Sequence, residues 1–220
     1  MKKILIVEDD AAIRTELKAL LSNDGYEAAA IEDFTDVLGQ ILKAEPDMVL
    51  LDINIPKMNG EVLLKELRKE TTLPVIMVTS RTSEVDEVLS MSYGADDYIT
   101  KPYNPTILLL RIQALFRRFD YSGEVMTYRD LKVNPAKGIL SKGEEELQLT
   151  KNEMLIFQML LQKRNQIVSR DALMTDLWDN DEFINDNALT VNISRLRAKL
   201  KSFGFEDAIE TRKKQGYILL

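Results

Sequence analysis

The first half of the chain alternates short apolar segments with helical patterns, and this alternation is its strongest constraint on fold. Five segments rich in aliphatic and β-branched residues have the length of strands; they begin at Lys3, Glu27, Met48, Val75 and Tyr98. After each, apolar residues recur three and four apart, as on one face of a helix. Strands that alternate with helices form a parallel sheet with helices on both faces. The pattern therefore predicts a five-stranded, doubly wound α/β domain.

The carboxyl ends of these strands carry the candidate chemistry. Acids follow the first and third strands, a hydroxyl the fourth and an amine the fifth: Glu8, Asp9, Asp10, Asp52, Thr79 and Lys101. Sites of open parallel sheets lie beyond these strand ends, so we expect the side chains to converge on one rim. Clustered carboxylates repel one another, and a magnesium ion relieves that repulsion. Asp10 is equally well explained as a helix N-cap.

Such a rim is suited to phosphoryl transfer. An Asp carboxylate can act as the nucleophile and form an acyl phosphate. The amine of Lys101 and the hydroxyl of Thr79 would then hold the phosphoryl oxygens.

The absence of both Cys and His excludes several other classes of chemistry. Disulfides, thiolate sites, His-based triads and histidine zinc sites cannot form. Acids stand where a dinucleotide-binding domain would have its Gly-rich loop after the first strand. No apolar run of about 18 residues and no signal-peptide pattern is present, so we expect a cytoplasmic protein without a membrane partner.

The second half differs in charge and in pattern. Residues 1–120 contain 14 Lys and Arg against 21 Asp and Glu, whereas residues 121–220 contain 15 of each. Alternating segments over 127–149 predict antiparallel strands, and helices are predicted over 150–161, 169–178 and 187–200. A hairpin is predicted over 209–220. Residues 120–126 lack periodicity and predict a linker between domains of residues 1–119 and 127–220.

The helix predicted over 187–200 is a candidate for reading DNA. Opposite its apolar face we place six polar or basic residues: Thr190, Asn192, Ser194, Arg195, Arg197 and Lys199. In a major groove, Arg can read guanine and Asn can read adenine. A solvated basic face is the alternative for an isolated helix. The position of this helix after a helix–loop–helix, and before a hairpin with a basic cluster at Arg212–Lys214, favours DNA binding.

The motifs of the first half resemble those of bacterial response-regulator receiver domains. Five segments carry the resemblance: Ile6–Asp10, Leu50–Pro56, Asn59-Gly60, Gly94–Tyr98 and Lys101-Pro102. The resemblance covers residues 1–119 and implies a flavodoxin-like fold. It also implies that Asp52 is the phosphorylation site and that a sensor histidine kinase is the phosphoryl donor.

The same resemblance implies roles for the neighbours of Asp52. Magnesium would be held by four residues: Glu8, Asp9, Asp52 and, through its carbonyl, Asn54. Lys101, joined to Pro102 by a cis peptide bond, would bind the phosphoryl group. Thr79 would hydrogen-bond that group while Tyr98 rotates inward. Asn54 and Arg81 would tune the rate of dephosphorylation.

A homodimer through the receiver is implied as well. Its interface would include Asp96, Asp97, Ile107, Arg111 and Arg118. Ile107 stands where the family often has Glu, and Glu87 stands where its basic partner is usual. One inter-subunit ion pair is therefore weakened, and an apolar contact through Ile107 is expected instead.

The second half resembles the winged helix-turn-helix output domain of the OmpR/PhoB family. The matching segments are Leu149–Glu153, Val168–Leu173, Val191–Arg197 and Gly216-Tyr217. The resemblance places Asn192, Arg195 and Arg197 on the recognition helix and Lys213 at the usual wing Arg. Lys214 occupies a position that is usually Gly. Promoter DNA with direct-repeat half-sites and RNA polymerase, through residues 178–186, are the implied partners.

Further segments most resemble a subgroup from Gram-positive bacteria that responds to cell-envelope-acting antimicrobial peptides such as bacitracin and cationic peptides. They are Ile31–Phe34, Ile167–Asp171, Leu189–Asn192 and Ile209–Thr211. We therefore expect a phosphorylation-activated transcription regulator that is not a turnover enzyme and that controls envelope-stress or peptide-resistance genes.

Two alternatives stay open. One is a constitutive winged-helix regulator with a vestigial receiver. The other is a magnesium-dependent aspartyl phosphatase of the haloacid-dehalogenase type. That class needs a second Asp two residues after its nucleophile, where this chain has Asn54, and it leaves the basic second domain unexplained.

Overall fold

The computed structural model describes residues 1–80, 84–119, 126–178 and 186–220; side chains are described for these except at 84–88, 117–119, 176, 178 and 186. Two compact units divide the chain, Met1–Gln113 and Ala114–Leu220. The predicted linker (except residue 126), Arg81, the side chain of Arg118 and most of the 178–186 segment lie outside the described residues. Within those residues, no helix has the length and hydropathy needed to cross a membrane.

The elements of the first unit alternate as predicted. In chain order they are β1 (Lys3–Val7), α1 (Ala11–Asn23), β2 (Glu27–Ala30), α2 (Val37–Ala44), β3 (Met48–Leu51), β4 (Asn54–Ile55), β5 (Met58–Asn59), α3 (Gly60–Glu70), β6 (Val75–Thr79), α4 (Glu84–Tyr93), β7 (Asp97–Thr100) and α5 (Pro105–Phe119). Five parallel strands form one sheet in the order β2-β1-β3-β6-β7. The predicted parallel α/β fold is confirmed.

The central strands explain why this sheet forms. Residues of β3 and β6, such as Leu50 and Ile76, are buried on both faces of the sheet, and Ile4 to Val7 of β1 are buried as well. Continuous apolar strands are what a parallel sheet covered by helices requires. The polar residues at the carboxyl ends of these strands lie at the edge of this apolar core, where Glu8, Asp52 and Thr79 are themselves buried.

A small hairpin that the sequence did not predict lies directly after Asp52. Strands β4 and β5 pair antiparallel through Asn54 with Asn59 and Ile55 with Met58. Two residues per strand are too few to show a periodic pattern. The hairpin turns the chain back so that α3 begins at Gly60, where an added Cβ would overlap the backbone carbonyl oxygen of Asp52. Glycine is therefore needed at this close approach.

The second unit contains the predicted strands, helices and hairpin. Its elements are β8 (Met126–Tyr128), β9 (Leu131–Asn134), β10 (Ile139–Lys142), β11 (Glu145–Gln148), α6 (Lys151–Gln162), α7 (Arg170–Trp178), α8 (Asp186–Ser202), β12 (Ile209–Arg212) and β13 (Gly216–Leu219). Strands β8 to β11 form an antiparallel sheet, and β12 pairs with β13 as the wing. The winged-helix fold is confirmed.

Helix–helix packing forms the core of this unit. The buried residues Leu189, Ile193 and Leu196 line one face of α8, and α8 contacts both α6 and α7. Thr150 and Glu153 form the predicted capping box at the start of α6. The wing is attached at its base, because Val168 and Tyr217 exchange backbone hydrogen bonds of 2.8 and 2.9 Å.

Replacing Gly60 by Ala tests how closely α3 must approach the end of β3. We expect Gly60→Ala to lower the free energy of unfolding of the receiver by about 2–3 kcal/mol, because the new methyl group overlaps rigid backbone. Gly39→Ala in α2 is the matched control: its methyl group meets no backbone but only the side chain of Asp36, the N-cap of α2, so the expected loss is the smaller one of a weakened cap, about 1 kcal/mol. Urea unfolding measures both, and equal losses in the two variants would contradict the packing argument.

Candidate functional site

Three carboxylates meet at the carboxyl edge of the parallel sheet. Glu8 follows β1, and Asp52 follows β3; the backbone N–H of Asp52 donates to the carbonyl of Val7, which holds the two strand ends side by side. Oxygen atoms of Glu8, Asp9 and Asp52 lie within 4.8 Å of one another. Glu8 is 3% exposed and Asp52 5% exposed, whereas Asp9 is open to solvent. The predicted convergence of these three residues on one rim is found.

The ammonium group of Lys101 joins two of the three. Its Nζ donates to Oε2 of Glu8 at 2.5 Å and to Oδ2 of Asp52 at 2.6 Å. Burial alone would lower the pKa of Lys101, but these hydrogen bonds outweigh it and raise the pKa, so the amine stays charged. Burial raises the pKa of Glu8, and Lys101 only partly offsets this. Burying two carboxylates here thus depends on the cation between them.

The remaining oxygen atoms suit a hard divalent cation. Oε1 of Glu8 accepts a long hydrogen bond of 3.3 Å from the N–H of Asp10, and Oδ1 of Asp52 accepts one from the N–H of Asn54. Asp9 and Asn54 line one open cavity of about 480 Å³ beside them. A set made only of oxygen donors with space for further ligands fits magnesium chemically. Asp10 is not part of the set, because its side chain caps α1.

Arg14 was not predicted from the sequence, yet it holds the acidic loop. Its Nη1 donates to the backbone carbonyls of Glu8 and Asp9 at 2.8 and 2.7 Å. The signal lies in its spacing: Arg14 is four residues after the N-cap Asp10, and helical side chains lean toward the N-terminus. A long cation at this position can therefore return to the loop that precedes its own helix.

Thr79 and Tyr98 lie on the neighbouring strands. Thr79 ends β6 and is fully buried, and its carbonyl accepts the backbone N–H of Lys101 at 2.7 Å. This bond fixes the Lys101 segment beside β6. Tyr98 lies on β7, paired with Met77, and is almost fully buried. The peptide bond between Lys101 and Pro102 is cis, as the resemblance implies.

The predicted dimer residues need correction. Asp96 is 1% exposed and accepts hydrogen bonds from Arg68 and from the N–H of Val75, both at 2.9 Å. It therefore serves the interior of its own chain and is not available to a second copy. Asp97 and Arg111 are also buried and pair with each other at 2.6 Å.

An apolar surface remains on α5 near these residues. Ile107 is partly exposed, and Leu110, one turn further along α5, is 58% exposed.

The predicted DNA-reading face of α8 is also corrected at Asn192. Its side chain is 1% exposed, and its amide donates to the carbonyl of Ala188. Asn192 lies three residues after Leu189 and four before Leu196, so helical geometry places it on the apolar face. Thr190 and Ser194 are exposed as predicted.

The cations of α8 are largely engaged within the protein. Arg195 and Lys199 both reach the fully buried carboxylate of Glu153, at 3.3 and 2.7 Å. Arg197 donates to the carbonyl of Ile209 and to the hydroxyl of Thr211, and so joins the helix to the wing.

A second Arg, Arg170, adds to this network. Arg170 at the start of α7 donates to the hydroxyls of Tyr217 and Thr190. Its guanidinium also lies 5.4 Å from the centre of the Tyr217 ring. Sequence patterns gave no sign of this residue, because its partners are 20 and 47 positions away.

Each half of the chain matches a known protein family. Residues 4–113 match the family described as response regulator receiver domain, and residues 143–219 match transcriptional regulatory protein, C terminal. The chain is 40% identical over 220 residues to the response regulator protein GraR of Staphylococcus aureus, with 98% of each chain covered.

Solved structures of response regulators are also similar to this chain. A structure of a RitR mutant covers 100% of this chain and 99% of its own, with a TM-score of 0.83 and 25% identity. The N-terminal domain of the nisin resistance regulator NsrR, described as a lantibiotic response regulator, covers 53% of this chain and 99% of its own; its TM-score is 0.50 and its identity 38%. The chain therefore belongs to the OmpR/PhoB-type response regulators of two-component systems, which join a receiver to a DNA-binding domain.

Proposed function

We propose that this chain is a phosphorylation-activated transcription regulator whose receiver accepts a phosphoryl group on Asp52 from a sensor histidine kinase. One observation carries the proposal: a charged Lys101 bridges the buried carboxylates of Glu8 and Asp52 at distances of 2.5 and 2.6 Å. This is the arrangement in which an acyl phosphate on Asp52 would meet a cation as it forms.

The transfer needs a histidine from the partner, since this chain has none. A carboxylate oxygen of Asp52 attacks phosphorus, the new O–P bond forms as the P–N bond breaks, and the imidazole leaves with the electron pair and takes up a proton. Lys101 and the hydroxyl of Thr79 hold the phosphoryl oxygens. Magnesium, held by Glu8, Asp9, Asp52 and the carbonyl of Asn54, would neutralise charge on those oxygens when bound.

Residues beside the site would set how long the phosphoryl group persists and how its arrival is sensed. Asn54 donates its backbone N–H to Asp52 and lines the open cavity beside the rim. We assign Asn54 and Arg81 to the dephosphorylation rate. Thr79 would turn its hydroxyl to the phosphoryl group, and Tyr98, which is already buried, would repack behind it; this would alter the surface formed by α4, β7 and α5.

That surface would pair with its copy in a second chain. Ile107 and Leu110 supply apolar area on α5, and Arg118 remains a candidate for an ion pair across the interface. Pairing brings two winged helices to adjacent direct-repeat half-sites in promoter DNA. Affinity then rises through effective concentration, without any new DNA contact.

The DNA contacts proposed for each winged helix are those whose side chains face outward. Thr190 and Ser194 would meet base edges from α8, and Lys213 would meet the backbone or minor groove from the wing. Arg195, Arg197 and Lys199 would contribute mainly by fixing α8. Residues 178–186 would contact RNA polymerase. Because promoter DNA is the proposed target, the protein would act in the cytoplasm.

The regulated genes are proposed to protect against lantibiotic-type peptides. Support comes from the identity of 38% to the receiver of the nisin resistance regulator NsrR. The same relationship weighs against a turnover phosphatase, as does Asn54 at the position where that class needs Asp. The complete rim weighs against a vestigial receiver.

Among the acids of the rim, Asp52 alone should carry the phosphoryl group. With magnesium and a small phosphodonor such as acetyl phosphate, intact mass should show one added phosphoryl group on the wild type and none on Asp52→Asn. Asp10→Asn is the matched control, because Asn also caps a helix. A modified Asp52→Asn would show that another residue is the acceptor. An unmodified wild type would show that either the donor must be the specific sensor kinase or the switch is not phosphate.

Dimer formation should depend on both phosphorylation and the apolar surface of α5. In sedimentation equilibrium with phosphodonor, Leu110→Ser should weaken the dimer roughly 5–10-fold, the effect of losing about 1 kcal/mol of apolar contact. Leu42→Ser on α2 removes a similarly exposed leucine and should leave the dimer unchanged. Equal weakening by both variants, or a dimer that ignores the phosphodonor, would rule out this interface.

Peptide resistance should require the phosphoacceptor in the native host. Deleting the coding sequence should lower the inhibitory concentration of a lantibiotic such as nisin severalfold. The wild-type chain should restore it, and Asp52→Asn should not. Unchanged sensitivity after deletion would contradict the proposed target genes while leaving the phosphorylation chemistry intact.

A further inference from the structure

Among the described cations of α8 and the wing, those without an ion-pair or hydrogen-bond partner lie at the turn of the wing. Arg195 and Lys199 of α8 are bound to Glu153, and Arg197 is bound to the base of the wing. On β12, Arg212 pairs with Glu210 at 2.9 Å. Cations that already have partners gain less from a phosphate, because an existing interaction must be given up.

Lys213 and Lys214 differ from these cations. Both are exposed, and within the part of the chain that the structure describes neither forms an ion pair or a hydrogen bond through its amine. They follow each other at the turn between β12 and β13. Two exposed ammonium groups on adjacent residues leave the positive charge of the turn uncompensated, and a phosphate backbone would compensate it.

Lys214 has a backbone conformation that lysine rarely adopts. The turn is closed by a hydrogen bond of 2.9 Å from the N–H of Gln215 to the carbonyl of Arg212. Within it, Lys214 has a φ of 61°, in the left-handed region that glycine occupies without cost and a lysine occupies with strain. Glu45, Lys57, Arg129 and Asn165 also have a positive φ, so the strain gives the cost of Lys214, and its exposed, unpartnered ammonium group is what points to a role for the side chain.

The base of the wing keeps this turn in one place. Gly216 packs so closely against Val168 that an added Cβ would overlap the carbonyl of Val168. Tyr217 then exchanges two backbone hydrogen bonds with Val168, and Arg197 holds Thr211 on the other strand. Both strands of the wing are thus anchored close to its turn, and the two lysines have a defined position relative to α8.

We infer that Lys214 is a second DNA-phosphate contact of the wing, beside Lys213, and that the chain keeps it at the expense of turn stability. The inference rests on the proposed DNA-binding role of the wing. In this inference Lys214 adds affinity for DNA of any sequence. Residues of α8 read the base edges.

Binding to a short labelled duplex of arbitrary sequence tests this, because phosphate contacts dominate such binding. Fluorescence anisotropy of the full-length chain would be measured between about 50 and 200 mM salt. Lys214→Gln and Lys214→Gly should each weaken binding roughly 5–10-fold near 100 mM salt and reduce the slope of log affinity against log salt by about 0.9, as expected for one lost contact. Lys137→Gln, an exposed lysine of the β9–β10 turn, is the control and should change neither.

The melting temperature separates the effect of losing the lysine side chain from the effect of relieving backbone strain. Lys214→Gly should melt roughly 2–5 °C above Lys214→Gln, because glycine adopts the left-handed conformation freely. Wild-type slopes in both Lys214 variants, or no gain in melting temperature for Lys214→Gly, would overturn the inference while DNA binding itself stands. If the wild type does not bind the duplex at low salt, the DNA-binding role fails and the inference falls with it.

Discussion

The receiver depends on one cation that keeps two buried carboxylates together. Two carboxylates about 4 Å apart repel by roughly 4 kcal/mol at an effective dielectric near 20, and Lys101 replaces that repulsion by two short hydrogen bonds to Glu8 and Asp52. The backbone of Lys101 is fastened to Thr79. The phosphoryl group proposed for Asp52 would add negative charge at the point where these groups meet, so Lys101 and Thr79 would be the first to respond. The residues proposed to respond to phosphorylation are therefore the ones that also stabilise the rim.

The DNA-binding unit uses the reverse arrangement, one buried acid that holds two cations. Glu153 caps the start of α6 and also binds Arg195 and Lys199 of α8. This fixes the angle between two helices, because a buried carboxylate is stable only while its partners remain in place. The same contacts take two cations of α8 away from the DNA-facing charge. The residues that orient α8 are therefore different from those available to attract DNA phosphates.

Sequence reasoning predicted what depends on local periodicity and missed what depends on distant partners. The five strands and the rim followed from alternation and from the rule that sites lie at carboxyl strand ends. Asp96 was misplaced because its partner Arg68 is 28 residues away. Asn192 was misplaced although its spacing from Leu189 and Leu196 already put it on the apolar face. The hairpin β4–β5 was missed because two-residue strands have no pattern.

Charge balance supports the proposed need for a second copy in DNA binding. The first 120 residues carry a net charge of −7, and the remaining 100 carry none. DNA repels the acidic half, though salt limits that repulsion to about 8–10 Å. Attraction by one chain then rests on the few cations that lack internal partners. Two chains on adjacent half-sites double those contacts without doubling the entropic cost of association. A receiver that controls pairing can therefore control DNA binding without altering the DNA-binding surface.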